Sequence, residues 1–197
     1  NYIIVIAEMP WSKNTSTPRR RQGRVFNKKG QFGTFVQSVR DRLHEHFDID
    51  QPECIGCRCP DTHPHTLGDV ILLGHSAGGS TIMSISKSGG LNWLYDNARV
   101  SSVKVIFSDA SYGRWLDIAW KYLKPPVWPT EFIILTRKWD KPYNNAERFL
   151  KRFKKTPTNI RHIIFNRNTT HAGIGDQSFK WVYPDGDSGC GEEGRRL

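Results

Sequence analysis

Short runs rich in Ile, Val and Phe recur along the chain, with stretches of helical apolar spacing between most of them. No other feature restricts the fold as much. The runs are Tyr2–Ala7, Asp69–Leu73, Val103–Phe107, Glu131–Leu135 and His162–Phe165. They largely lack strict apolar–polar alternation, as expected of strands covered on both faces in a parallel sheet. In Gln31–Phe47 the residues Phe32, Phe35, Val36, Val39, Leu43 and Phe47 form one continuous helical stripe. Gly78–Ser88, Tyr112–Leu123 and Asn144–Phe153 carry further helical patterns. Strands alternating with helices predict an α/β fold with a mostly parallel, doubly wound sheet of about five or six strands and helices on both faces. In such a sheet, ligands bind beyond the carboxyl ends of the strands.

A chain of 197 residues fits one domain, placed at residues 1–180, with 181–197 as a turn-rich, flexible tail. Hydrophobic residues make up 37% and aromatic residues 12%, enough for a core and too much for intrinsic disorder over most of the length. No apolar run approaches the roughly 18–20 residues of a membrane-spanning helix. The net charge of +10 favours polyanions, acidic surfaces or an anionic cell wall as surroundings. The sequence opens at Asn1 without a secretory leader, so no targeting signal fixes a compartment.

The run Asp69–Leu73 leads directly into Gly74-His75-Ser76-Ala77-Gly78-Gly79-Ser80 and then into a helical pattern. This is G-x-S-x-G between a strand and a helix, the setting in which a sharp turn lifts a serine hydroxyl above a sheet. Residues two positions from Ser76 must be small for strand and helix to pass. Ala77 and Gly78 leave the helix N-terminus open to a developing oxyanion. A serine nucleophile needs a base. Of seven histidines, only His171 follows the last strand at its carboxyl end and comes after the serine. His44 and His46 lie on the first helix, His63 and His65 precede the elbow strand, His75 is expected to point away from Ser76, and His162 opens a strand. Two acids compete for the third role. Asp109 follows the strand after the elbow among small neighbours, and Asp140 follows the next strand between Lys138 and Lys141, which reads more like a solvated ion-pair loop. Asp109 is preferred, with Asp140 as the alternative and Asp176 a distant third.

With the elbow Gly74–Gly79, an acid after a later strand and His171 after the last one, the chain resembles the α/β-hydrolase superfamily from Tyr2 to about Phe179. That superfamily usually places its acid two strands after the elbow, which points to Asp140, and some lipase-like members place it one strand earlier, which points to Asp109. The stretch Asp109-Ala110-Ser111-Tyr112-Gly113 is also similar to one in small secreted microbial hydrolase-like proteins. The resemblance implies a minimal, lidless serine esterase of cutinase size, with no metal or organic cofactor. Its substrates would be small or polymeric carboxylic esters, with lactones and amides as further candidates. One oxyanion donor would be the Ala77 N–H; the other would come from Met9, Trp11 or Ser12, because Pro10 has no N–H. Trp11, Tyr112 and Trp115 are candidate pocket walls.

Cys54, Cys57 and Cys59 with His63 and His65 have donor types suited to Zn²⁺, but not the spacing of the familiar paired knuckles. Together with Cys190 they equally allow disulfides or free thiols; disulfides would imply an oxidising compartment, and the reading leans to secretion or the cell envelope. The basic run Arg19-Arg20-Arg21 with Arg24, Lys28 and Lys29, and the set Arg148, Lys151, Arg152, Lys154 and Lys155, are not interleaved with aromatics in the manner of a nucleic-acid surface. The competing function is a catalytically inactive α/β module that binds polyanions or cell-wall material through these cations.

Overall fold

The computed structural model describes residues 26–47, 69–98, 100–122 and 130–182. The expected strand Tyr2–Ala7, the loop bearing Met9, Trp11 and Ser12, the cysteine cluster with His63, and the tail beyond residue 182 lie outside them, as do the side chains of His44 and His46.

Helix α1 (Gln31–Phe47) precedes strand β1 (Asp69–His75), helices α2 (Gly78–Lys87) and α3 (Gly90–Ala98), and strand β2 (Ser102–Ser108). Helix α4 (Trp115–Tyr122), strand β3 (Thr130–Arg137), helix α5 (Lys141–Leu150), strand β4 (Ile160–Phe165) and helix α6 (His171–Ser178) follow, and a 3₁₀ turn spans Phe179–Trp181. The class is α/β, as expected. Among the described residues the sheet has four strands, all parallel, in the order β1-β2-β3-β4, rather than the five or six anticipated.

The continuous apolar character of β2 and β3 follows from their central place. Val103, Val105, Phe107, Phe132 and Ile134 face one core, while Ile106, Ile133 and Leu135 face another. Each successive strand lies beside the last, so the crossovers α2–α3, α4 and α5 stack against the same face. Ile82, Leu94, Leu116, Ala119, Ala146 and Phe149 all belong to that first core. Helix α6 crosses the opposite face, where Ile174 is fully buried with Ile106, Ile133, Leu135 and Phe165. Among the described residues helices therefore cover both faces, with α6 on the second.

The layer above α3 depends on a missing side chain. At Gly33 a Cβ would lie 2.6 Å from the Trp93 ring, so α1 accepts glycine's helix penalty of roughly 1 kcal/mol to lie flat on that indole. Phe26, Phe32 and Phe35 pack ring against ring along the same seam, with centroids 5.4–6.4 Å apart. No helix among the described residues is long and apolar enough to cross a membrane.

Candidate functional site

The carboxyl ends of β1, β2 and β3 lie side by side, and each is followed within a few residues by a left-handed backbone: Ser76 at φ +52°, Asp109 at φ +44° and Trp139 at φ +74°. Such conformations cost of order 1–3 kcal/mol outside glycine and persist where surrounding bonds enforce them. The Ser76 N–H donates to Ser108 O at 3.0 Å, and the Asp109 N–H to Leu135 O at 2.8 Å, so each turn is pinned to the neighbouring strand before leaving the sheet.

At the elbow, the residues that must be small are Gly74 and Gly79. A Cβ at Gly74 would sit 2.8 Å from the Gly78 carbonyl and 2.7 Å from Ile82, and one at Gly79 would sit 2.5 Å from Ala110 O. A Cβ at Gly78 would meet nothing within 4 Å. Its glycine is thus not demanded by crowding, contrary to the reading from the motif. Ala77 caps α2 without a side-chain hydrogen bond, and its N–H and that of Gly78 have no acceptor among the described residues, leaving two donors at a helix N-terminus.

Asp109 is 1% exposed, and its Oδ2 lies 2.5 Å from Nδ1 of His171. The imidazole is part-buried, with its side chain 39% exposed. A carboxylate on Nδ1 keeps the proton there and leaves Nε2 as the basic nitrogen. Among the described residues the Ser76 hydroxyl makes no hydrogen bond. The structure thus joins His171 to Asp109, while the Ser76–His171 hydrogen bond is not formed.

Asp140 has a different task. It caps α5, its Oδ1 accepting the Tyr143 N–H at 2.9 Å and its Oδ2 lying 3.3 Å from Arg137 Nε. Its carboxyl is held above the usual range, chiefly by burial and, more weakly, by the negative charge of Asp109, against the lowering effect of the Tyr143 N–H. Asp109 Oδ1 is buried with no hydrogen-bond partner among the described residues.

Several supporting contacts were not anticipated. The His75 ring lies 4.4 Å from that of His171, and its Nε2 is 2.9 Å from the His171 carbonyl oxygen. Gly175 makes room for it: a Cβ there would come within 3.3 Å of the ring. Inside the second core the Ser178 hydroxyl bonds that of Ser108 and the Ile174 carbonyl, tying the end of β2 to the helix that begins with His171. Asn145 Nδ2 donates to Ser111 O at 2.8 Å and Arg148 to Gly113 O at 2.7 Å, clamping the Asp109 loop to α5. Tyr112 stacks edge-on against Trp115 with centroids 5.6 Å apart, beside that loop. Asp176 lies on α6, and His171 pairs with Asp109 in its place. Among the described residues no group of three or more His, Cys, Asp or Glu side chains is arranged to hold a metal ion. Compared with known protein families, characterised proteins and solved structures, the chain matches none.

Proposed function

We propose that the protein is a serine hydrolase that cleaves carboxylic esters through an acyl-enzyme on Ser76. The observation that carries this reading is the hydrogen-bonded Asp109–His171 pair at the same sheet edge as a serine in a left-handed turn. In the reaction, Ser76 Oγ attacks the acyl carbon and its proton passes to His171 Nε2. Asp109 holds the imidazole tautomer and stabilises the imidazolium. The tetrahedral oxyanion is received by the Ala77 N–H, with Met9, Trp11 and Ser12 as candidates for the second donor. His171 then protonates the leaving alcohol, and the same nitrogen activates water to release the acid. No metal or organic cofactor enters these steps.

A fluorophosphonate probe tests the reading directly. Labelling of the folded protein that disappears in Ser76→Ala is the expected result. Absence of labelling from protein that is folded by circular dichroism favours the second reading, a polyanion-binding module. The net charge of +10 and the unmade Ser76–His171 hydrogen bond are the observations on that side.

A further inference from the structure

At the carboxyl ends of β3 and β4, Arg137, Lys138, Trp139, Asp140 and Arg167 surround an open cavity of about 310 Å³. Three of these five side chains are cationic. The single carboxylate, Asp140, is already engaged by Arg137 Nε and the Tyr143 N–H. Lys138 and Arg167 have no carboxylate partner among the described residues. The Lys138 ammonium instead rests 5.5 Å from the centroid of the Trp139 ring.

Trp139 is itself the second unusual feature. It is 72% exposed, the most exposed large apolar side chain in the described residues, and it is carried on a left-handed backbone. A bulky residue at positive φ is uncommon, and strain of this kind gathers at ligand clamps. Nothing in the packing requires an indole there. The turn beneath it is nevertheless fixed, because the Lys138 N–H donates to Phe165 O at 3.1 Å.

The cavity also has a place in the site. Asp140 on its wall feels the charge of Asp109, and Arg167 stands in the loop that leads from β4 to His171. We propose that this cavity binds an anionic group of the substrate, a carboxylate or a phosphate, between Lys138, Arg167 and Arg137, with the Trp139 ring against the apolar part beside it. The assignment rests on the serine-hydrolase reading and specifies its substrate class: esters that carry a negative charge. Guanidinium forks suit planar or tetrahedral oxyanions, and the volume, at the lower end of the roughly 300–1,000 Å³ of small-molecule sites, suits one such group rather than a polymer strand.

The experiment compares the mono-4-nitrophenyl ester of glutaric acid with its methyl-capped counterpart, which differs only in the free carboxylate. The wild-type protein is expected to favour the charged ester by roughly tenfold in kcat/KM, the scale of a charge-assisted contact. In Lys138→Ala/Arg167→Ala the ratio falls towards one. A wild-type ratio near one, or a ratio that survives the double substitution, overturns the proposal.

If neither ester is turned over, the hydrolase reading is left to the fluorophosphonate result and the cavity is judged by binding alone. Glutarate or inorganic phosphate should then change Trp139 emission, read as the difference between wild type and Trp139→Phe, and the change should vanish in the double variant. Response to glutarate alone, phosphate alone or both identifies the anion, and response to neither overturns the assignment.

Discussion

Asp109 and Asp140 leave the ends of adjacent strands, yet only Asp109 holds the imidazole; Asp140 holds a helix N-terminus. Asp109→Asn is expected to lower kcat by about 10⁴-fold, because an amide cannot fix the tautomer that a carboxylate fixes. Asp140→Asn keeps a cap acceptor for the Tyr143 N–H and is expected to change kcat by less than roughly tenfold. Steady-state rates of the two variants on one ester decide this, and the reverse order of damage would assign the acid to Asp140. In the proposed reaction His75 would act as a positioning residue, through its contact with the His171 carbonyl. His75→Phe removes its contact with the His171 carbonyl and should lower kcat by about ten- to a hundredfold with KM little changed, whereas His75→Gln restores part of the rate. The two acids were hard to separate by sequence because each follows a strand. The discriminating signal was present: Asp140 precedes Lys141-Pro142, an N-cap followed by a proline in the first turn. His75 was not legible, since its partner lies far along the chain and only the fold brings them together.

At the scale of elements, the strand–turn–helix unit makes a contrast testable with two substitutions. Gly79→Ala forces a methyl into Ala110 O and should destabilise the protein by about 1–3 kcal/mol. Gly78→Ala meets open space and should alter stability by less than about 0.5 kcal/mol. Urea unfolding midpoints of both variants check the contrast; equal losses would mean that the elbow is not packed as described. Four of the strands read from Ile- and Val-rich runs recur within a few residues of their expected bounds, the first, Tyr2–Ala7, lying outside the described residues, and α1 matches its stripe, because burial dictates those patterns. Helix α5 begins three residues before the expected Asn144, at its Asp140 cap. Helices α3 and α6 were not anticipated. α3 opens on Gly90 in a short segment, and α6 contains Gly173 and Gly175 and is held by Thr170, whose hydroxyl accepts the Gly173 N–H at 2.9 Å. Short glycine-bearing helices carry little periodicity, and tertiary contacts decide them.

For the whole molecule, the clearest pH-sensitive group among the described residues is His162, on β4. Its side chain is 4% exposed, its Nε2 is 2.8 Å from the Thr136 hydroxyl, and burial lowers its pKa to about 4 from the usual 6.5. The unfolded chain binds this proton more readily. The histidine's contribution is therefore intact above about pH 6.5 and lost progressively towards pH 4, on the order of 3 kcal/mol in total. Asp140, whose pKa is raised, acts in the opposite sense as its carboxyl is protonated on acidification. Denaturant titrations at pH 7.5 and 4.5 should show a larger loss for wild type than for His162→Gln; parallel losses would place the acid sensitivity elsewhere. The α/β class was readable at this scale because strand-sized apolar runs alternate with helical patterns, and each crossover among the described residues joins neighbouring strands. The anion cavity was not, since its lining comes from two separate turns.

The bond from His75 to the peptide of His171 has a further consequence. The residue covalently attached to the serine also grips the segment that carries the imidazole, so the spacing between those two segments is set below the rim and does not depend on how surrounding loops settle. Variation in those loops, by drift or by engineering, can change what enters the cleft while leaving this underlying frame in register.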